Sequence, residues 1–525
     1  MSLPPPSTLL GIPKYNFWYA GQEKAFREII NWYHDLERFL GVAAPTGAGK
    51  SLLALLAAKM TGARTIILTA TKGLQNQYVR DASLIGGVNV MGQNNFPCTL
   101  VRGLQADEGP CHEGIPCPIK QSGDCPYQRQ LQKAVASNIV ITNYAYYLAQ
   151  TNFSTGIGDI DLLIADEGNQ AFSAVESYLT IFLSKLDIGP MGLTFPSAVD
   201  KWGVWQTWAE YSLPTASAFV SQIEGDMKTR RASGQPVPSA MSHSYRVAKS
   251  IAARLERLSL VGEDWVIQQT RYGFRFVPKW VSEYSDSLFH SVPKVMLMSA
   301  ILSHKTADSL GVPPAPDRKW VEVGSYFPPR NTPIWHIPTA RISYRTDDFG
   351  STVWAARIDQ IISRRIDRKG IVFTVSYDRA RMLMSRSRYR GIMITHSTGD
   401  VIQVVDKFKS MKPPAVLISP TVTTGWDFSG ESCSYIIVGK IPYPDTKDLV
   451  IVARRKDDKD WPSFLAMETL IQESGRGSRS SDDKCEILIC DDNWIWFYHK
   501  YGHYAPQWFK ERVRGSLQSV PNPLV

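Results

Sequence analysis

Apolar residues along this chain fall into short blocks separated by polar, Gly- and Pro-bearing stretches, the pattern of buried strands alternating with helices. Phe39-Leu40-Gly41-Val42-Ala43 is the first block, and Leu52-Leu53-Ala54-Leu55-Leu56-Ala57-Ala58 follows as a helical run. Asp161-Leu162-Leu163-Ile164-Ala165 and Lys294-Val295-Met296-Leu297-Met298 predict further strands, and a new series begins at Ile371-Val372-Phe373-Thr374. That series continues through Ala415-Val416-Leu417-Ile418 and Ser434-Tyr435-Ile436-Ile437-Val438, so two α/β domains are expected. Gly324-Ser325-Tyr326-Phe327-Pro328-Pro329-Arg330 reads as the connector, because Pro lacks a backbone donor and restricts its neighbour. Within the first series, between Ala165 and Lys294, Val247, Ile251, Leu255 and Leu258 recur at helical spacing and predict a packing stripe.

The segment joining the first strand to the first helix carries chemistry. In Ala44-Pro45-Thr46-Gly47-Ala48-Gly49-Lys50-Ser51, the two glycines let backbone N–H groups turn toward a phosphate, Lys50 supplies a charge for the terminal phosphates, and Ser51 can hold Mg²⁺. A nucleoside triphosphate is the expected ligand, held by Thr46, Gly47, Ala48, Gly49, Lys50 and Ser51. The second motif is Asp166-Glu167, placed where an apolar strand ends. Alone, such a pair is a solvated strand end or a cap; beside a phosphate loop, Asp166 suits Mg²⁺ through water and Glu167 suits the attacking water. A third motif, Gln472-Glu473-Ser474-Gly475-Arg476-Gly477-Ser478-Arg479, puts two arginines three residues apart, on one face if helical. Guanidinium groups supplied from the second domain would couple domain closure to hydrolysis.

A length of 525 residues exceeds what one core usually supports and predicts about three or four structural units. The excess of 58 Lys and Arg over 49 Asp and Glu, a net charge of +9, permits a polyanionic partner without requiring one. No apolar run reaches the length of a membrane span, and Met1-Ser2-Leu3-Pro4-Pro5-Pro6 lacks a signal pattern, which points to the cytosol, a nucleoid or a nucleus. Four of the seven cysteines, Cys98, Cys111, Cys117 and Cys125, fall in one Pro- and Gly-rich segment with 12, 5 and 7 residues between them. A reducing compartment argues against disulfides, so a four-thiolate site for zinc or an iron-sulfur cluster is expected. His112 is a substitute ligand or a loop histidine, and Cys433, Cys485 and Cys490 read as core residues.

In this order the motifs resemble those of the XPD/DinG family of superfamily 2 iron-sulfur DNA helicases, over nearly the whole chain. Tyr19-Ala20-Gly21-Gln22 is similar to the family's adenine-side glutamine motif without its Arg, and Thr69-Ala70-Thr71-Lys72-Gly73-Leu74-Gln75-Asn76-Gln77 to its first DNA-contact motif. The cysteine quartet follows, then Cys125-Pro126-Tyr127, Ile141 to Leu148, Asp166-Glu167-Gly168-Asn169, Ser299-Ala300-Ile301-Leu302, Ser376-Tyr377, Thr423-Thr424-Gly425-Trp426-Asp427 and Gln472 to Arg479. The resemblance implies two RecA-like motor domains that bind ATP and Mg²⁺, with a 4Fe-4S domain and a small helical arch both inserted into the first. The expected boundaries are 1–90, 136–171 and 263–323 for the first motor, 91–135 for the cluster domain, 172–262 for the arch and 324–525 for the second motor.

It further implies 5′ to 3′ movement on single-stranded DNA and separation of forked duplex, and a motor that closes its own ATP site with both domains in one chain can work as a monomer. Gln22 and Asp427 are expected at the nucleotide, Gln472, Arg476 and Arg479 at its phosphates, and Thr71, Tyr144, Ser376 and Thr424 on the DNA side. Asn169 stands where the family usually has His, and Ile301 where it has Thr. These two departures motivate the alternative of an ATP-gated DNA clamp or translocase that does not unwind; a zinc-stabilised RNA helicase is another, since phosphate-directed motifs do not separate RNA from DNA.

Overall fold

The computed structural model describes residues 2–113, 117–153, 156–325, 328–343, 345–420, 428, 430–477, 482–517 and 519–524. Two seven-stranded sheets, each wholly parallel, form the cores of two α/β domains. The first runs in the order Arg318–Glu322, Phe39–Ala43, Lys294–Ser299, Leu162–Asp166, Thr65–Thr69, Ile139–Asn143 and Val88–Asn89. Its strands from Phe39–Ala43, Thr65–Thr69 and Leu162–Asp166 are buried along their whole length, as continuous apolar runs in a sheet covered on both faces must be. The second runs Met393–Thr395, Ala415–Ser419, Lys369–Phe373, Tyr435–Val438, Glu486–Ile489, Ile334–His336 and Val513–Ser516.

Both sheets repeat one packing device. Gly41 pairs with Trp320 and Gly370 with Tyr435. A Cβ at Gly41 would lie 2.3 Å from the Trp320 ring, and one at Gly370 would lie 2.1 Å from the Tyr435 ring, so each glycine leaves room for an aromatic ring to lie over the neighbouring strand.

The first sheet is interrupted twice. Residues 90–138, between its strands Val88–Asn89 and Ile139–Asn143, contain the four clustered cysteines in a run of short turns and two helices, Pro118–Gln121 and Pro126–Ala136. The second interruption holds a three-stranded antiparallel sheet, Ile181–Ser184, Gly273–Pro278 and Trp265–Gln269, carrying a hairpin of two long helices, Trp202–Ala232 and Ser239–Leu260. The predicted stripe packs this hairpin: Ile251, Leu255 and Leu258 are buried in the same cluster as Trp205, Ala209 and Ala216, while Val247 packs at its margin. The expected arch boundary at residue 262 therefore falls short. Trp265–Gln269 and Gly273–Pro278 pair with each other and with Ile181–Ser184, so the insertion continues through Pro278 before the chain rejoins the first motor.

The motors meet through specific contacts. Lys305 pairs with Asp458 at 2.6 Å, and the Thr306 hydroxyl donates to Glu468 Oε1 at 3.0 Å. Arg454, from the second motor, is buried beside the base of the insertion: it pairs with Glu176, donates to the Lys279 and Pro278 carbonyls, and lies 4.8 Å from the centre of the Phe172 ring. Among the described residues no helix is long and apolar enough to cross a membrane.

Candidate active site

The phosphate loop leaves the carboxyl end of Phe39–Ala43 and enters the helix Lys50–Thr61. Gly47 and Gly49 adopt φ of +80° and +78°, the left-handed region, which turns the loop amides toward a common point. At Gly49 space is decisive too, because a Cβ there would lie 2.1 Å from Gln22 Nε2. Gln22 is fully buried; its Nε2 donates to the Ala48 carbonyl at 2.7 Å and its Oε1 accepts the Tyr19 amide at 2.8 Å. It therefore braces the loop from the side on which the resemblance places the adenine. Lys50 folds back, donating to the Ala44 carbonyl at 3.3 Å.

Asp166 ends the strand Leu162–Asp166, which Lys294–Ser299 separates from the phosphate-loop strand, and is 1% exposed. Burial and the adjacent Glu167 charge push its carboxyl up to about 6, while Lys50 and the Tyr78 hydroxyl pull it down. Glu167 follows with φ of +51°, an uncommon conformation for a residue with a side chain, and its amide donates to Asp166 Oδ1 at 2.9 Å. Tyr78 was not marked by sequence reasoning. It is fully buried, donates to Asp166 Oδ2 at 2.7 Å, and has the Ser51 side chain beside its phenol oxygen. With Leu74 it forms an i, i+4 apolar pair on the helix Lys72–Ala82, and that spacing reads only as core.

The two departures from the family pattern each have a partner. Ser299 Oγ donates to Asn169 Oδ1 at 2.6 Å, so the acidic motif and the Ser-Ala motif are hydrogen-bonded without a histidine. The Ile301 amide donates to Ser299 Oγ at 3.2 Å, and its side chain joins the core of the second motor with Ala300. Trp508 of that motor donates its indole N–H to the Ala300 carbonyl at 3.0 Å. The Ser-Ala-Ile segment thus touches the acidic motif at one end and the second motor at the other.

From the second motor, the helix Trp461–Ser474 ends in a turn that reaches the phosphate loop: a Cβ at Gly475 would lie 4.0 Å from Thr46 Oγ1. Pro45, Thr46, Ser325, Gly475, Trp508 and Arg512 line one narrow cavity there. Gln472 and Arg476 are half-buried around this turn, and Arg512 steadies it by donating to the Ser474 carbonyl at 3.3 Å and to the Thr332 carbonyl at 2.8 Å. Arg479, Asp427 and Thr424 lie outside the described residues.

Of the residues expected on the DNA side, Thr71 and Ser376 occupy matching places in the two motors. Each caps the helix after its strand, Thr71 accepting the Leu74 amide and Ser376 the Arg379 amide, both at 3.2 Å. Tyr144 corrects the expectation. It is 3% exposed, and its hydroxyl donates to the Asp166 carbonyl at 3.0 Å, so its ring is occupied inside the core and has no open face for a base.

Cys98, Cys111, Cys117 and Cys125 are free thiols that line one small cavity with Tyr127 and Lys120. A Cβ at Gly109 would lie 3.2 Å from Cys98 Sγ and 3.7 Å from Cys111 Sγ, so the missing side chain leaves space where thiols approach. Burial and the three neighbouring cysteines push the Cys111 thiol up. Cys117 and Cys125 each occupy the N-cap position of a helix that begins with Pro. This donor set suits a group bound by four thiolates. Among the described residues, no group of three or more His, Cys, Asp or Glu side chains converges on a single metal-ion position. His112 lines the same cavity, and Cys433, Cys485 and Cys490 are buried in the second motor.

Residues 19–194 match the DEAD/DEAH box helicase family model and residues 360–512 the helicase C-terminal domain model. Together with the phosphate loop and the acidic pair, these define an ATP-hydrolysing helicase that uses Mg²⁺. The fold aligns with that of an XPD helicase over 94% of this chain and 98% of the other, with a TM-score of 0.65 and 15% identity. S. tokodaii Xpd4 aligns over 94% and 99%, with a TM-score of 0.61 and 13% identity. A Fanconi anemia group J protein homolog of Gallus gallus is 28% identical over 123 residues, 21% of this chain, and the match spans about a tenth of that relative's length (10%). The chain thus carries both halves of a helicase motor, and its fold is that of XPD helicases.

Proposed function

We propose that the chain is a DNA helicase that moves 5′ to 3′ along a single strand and opens duplex at forks, acting as a monomer in the cytosol or nucleoid. The observation that carries this reading is that one chain supplies both walls of the ATP site: the phosphate loop, Asp166 and Glu167 from the first motor, and the Gly475-Arg476 turn from the second, packed beside Thr46.

Loop amides, Lys50 and Ser51 take the phosphate charge, and Asp166 and Ser51 hold Mg²⁺. Glu167 orients the attacking water, and Arg476, with Gln472 and Arg479, stabilises the transferred phosphoryl group from across the cleft. After hydrolysis the cleft relaxes. Ser299, bonded to Asn169, carries that change toward the second motor through Ala300 and Ile301. Single-stranded DNA runs over the helix N-termini capped by Thr71 and Ser376, where backbone amides and hydroxyls meet phosphates with little sequence preference. Cys98, Cys111, Cys117 and Cys125 would hold a 4Fe-4S cluster, whose role would be to tie their loops together as a strand guide rather than to transfer electrons.

Two measurements test this reading. ATP hydrolysis should be stimulated by single-stranded DNA more than by single-stranded RNA of the same sequence, with a steep loss of stimulation as salt rises; equal stimulation would favour an RNA-competent motor. Cys117→Ser should abolish bound iron and fork opening while nucleotide affinity stays near wild type. Zinc in place of iron would replace the cluster, and full unwinding without metal would remove the cysteines from the mechanism.

A further inference from the structure

Tyr78 stands between the two groups that hold Mg²⁺. Its hydroxyl donates to Asp166 Oδ2 at 2.7 Å with the Ser51 side chain beside it, so the phenol stands between the phosphate loop and the acidic motif. The ring is fully buried, which denies the hydroxyl any water partner. The side chain belongs to the helix Lys72–Ala82, whose first turn is capped by Thr71. Seven residues of helix separate Thr71 from Tyr78, a rise of about 10 Å. A helix two turns long moves as a rigid rod, so a displacement where the strand binds reaches the phenol oxygen.

A phenylalanine would fill the same volume, and this site asks for the hydroxyl. Among the described residues the Asp166 carboxylate accepts two hydrogen bonds, from Tyr78 and from the Glu167 amide. That leaves a carboxylate held in orientation yet with lone pairs to spare for a Mg²⁺-bound water. Removing the hydroxyl frees Asp166 to turn and cuts the only side-chain hydrogen bond between this helix and the acidic motif among the described residues.

We propose that Tyr78 is a positioning residue that couples nucleic-acid binding at Thr71 to Mg²⁺ binding at Ser51 and Asp166. The coupling rests on the DNA-helicase reading above, and it is reciprocal: a strand that improves the Mg²⁺ site must itself be held more tightly when Mg²⁺ and nucleotide are bound.

The test is the Mg²⁺ concentration giving half-maximal ATP hydrolysis, measured on the full chain with and without single-stranded DNA, for wild type and Tyr78→Phe. In wild type the strand should lower that concentration by at least about five-fold, the lower end of the usual range of coupling. In Tyr78→Phe the ratio should fall to about one, with an unchanged melting temperature showing that the ring still packs. A merely structural tyrosine would change stability and leave the ratio alone, and a wild-type ratio in Tyr78→Phe would overturn the proposal. A second arm needs no variant: the affinity of wild type for a labelled strand, with a non-hydrolysable ATP analogue, should rise by the same factor when Mg²⁺ is added, and an unchanged affinity would also overturn it. Hydrolysis with no effect of DNA on Mg²⁺ demand would sink the coupling and spare the motor; no hydrolysis at all would sink the proposed function with it.

Discussion

Each motor buries an aspartate where a central strand ends, and the two are treated differently. Asp491, just past Glu486–Ile489 in the second motor, is fully buried and accepts the Ile342, Ile441 and Asn493 amides and the Asn493 side chain at 2.8–3.1 Å. Asp166, in the first motor, accepts one amide and the Tyr78 hydroxyl. Asp491 spends its lone pairs on the backbone of three segments and so holds the fold. Asp166 keeps capacity for a ligand, and the structure carries the cost of a buried carboxyl pushed up to about 6. Two parallel sheets of the same size therefore place the same residue at the same edge for opposite ends. Neighbouring strands complete the contrast: those ending at Ser299 and Thr69 flank Asp166, with the phosphate loop one strand further on, whereas Gly439 and the Ser376 cap lie along the matching edge of the second motor.

The sharpest way to break this comparison is to neutralise both aspartates. Asp166→Asn should lower kcat for ATP by about 10²- to 10³-fold. Its melting temperature should hold or rise, because at neutral pH the variant no longer buries a charge there. Asp491→Asn should do the reverse. It should keep the nucleotide chemistry and lose stability by about 1–3 kcal/mol for each backbone amide left without an acceptor, read by denaturant unfolding. Equal loss of activity in both would mean that saturation by backbone amides does not separate structural from functional carboxylates here.

A smaller effect bears on the contact between the motors. Burial pushes the Glu468 carboxyl up to about 8, against a partial offset from the Thr306 hydroxyl. Its pKa in the folded chain lies above its unfolded value, so its contribution is fully present below about pH 4.5 and is lost as pH rises through about 8. Wild type should thus melt lower at pH 9 than at pH 6. Glu468→Gln should flatten that difference, by about 2–4 °C for each kcal/mol regained. An unchanged slope in the variant would assign the pH dependence to other groups.

What could be read in advance follows the range of each interaction. The phosphate loop, the strand before it and the helix after it are local, so Gly47, Gly49, Lys50 and Ser51 appear in order within a few residues. Both sheets were legible for the same reason, since a strand buried on two faces announces itself as a short apolar run. The second insertion was read to residue 262, short of its end, because Trp265-Val266-Ile267-Gln268-Gln269 becomes a strand only by pairing with Gly273–Pro278 and Ile181–Ser184. Tyr144 misled because an exposed stacking aromatic and a buried one have the same composition; only the Asp166 carbonyl, 22 residues away, distinguishes them. Tyr78 and Arg454 were invisible for a stronger reason. Their partners lie 88 and 278 residues distant, and neither carries a spacing that marks a polar task.

The central claim is a motor of fixed direction powered at Lys50. It is tested most directly by strand separation on forks bearing a 5′ or a 3′ single-stranded tail, with anaerobically prepared wild type and Lys50→Ala. The account predicts opening from the 5′ tail alone, abolished by Lys50→Ala. Opening from the 3′ tail, or opening that survives Lys50→Ala, would contradict it.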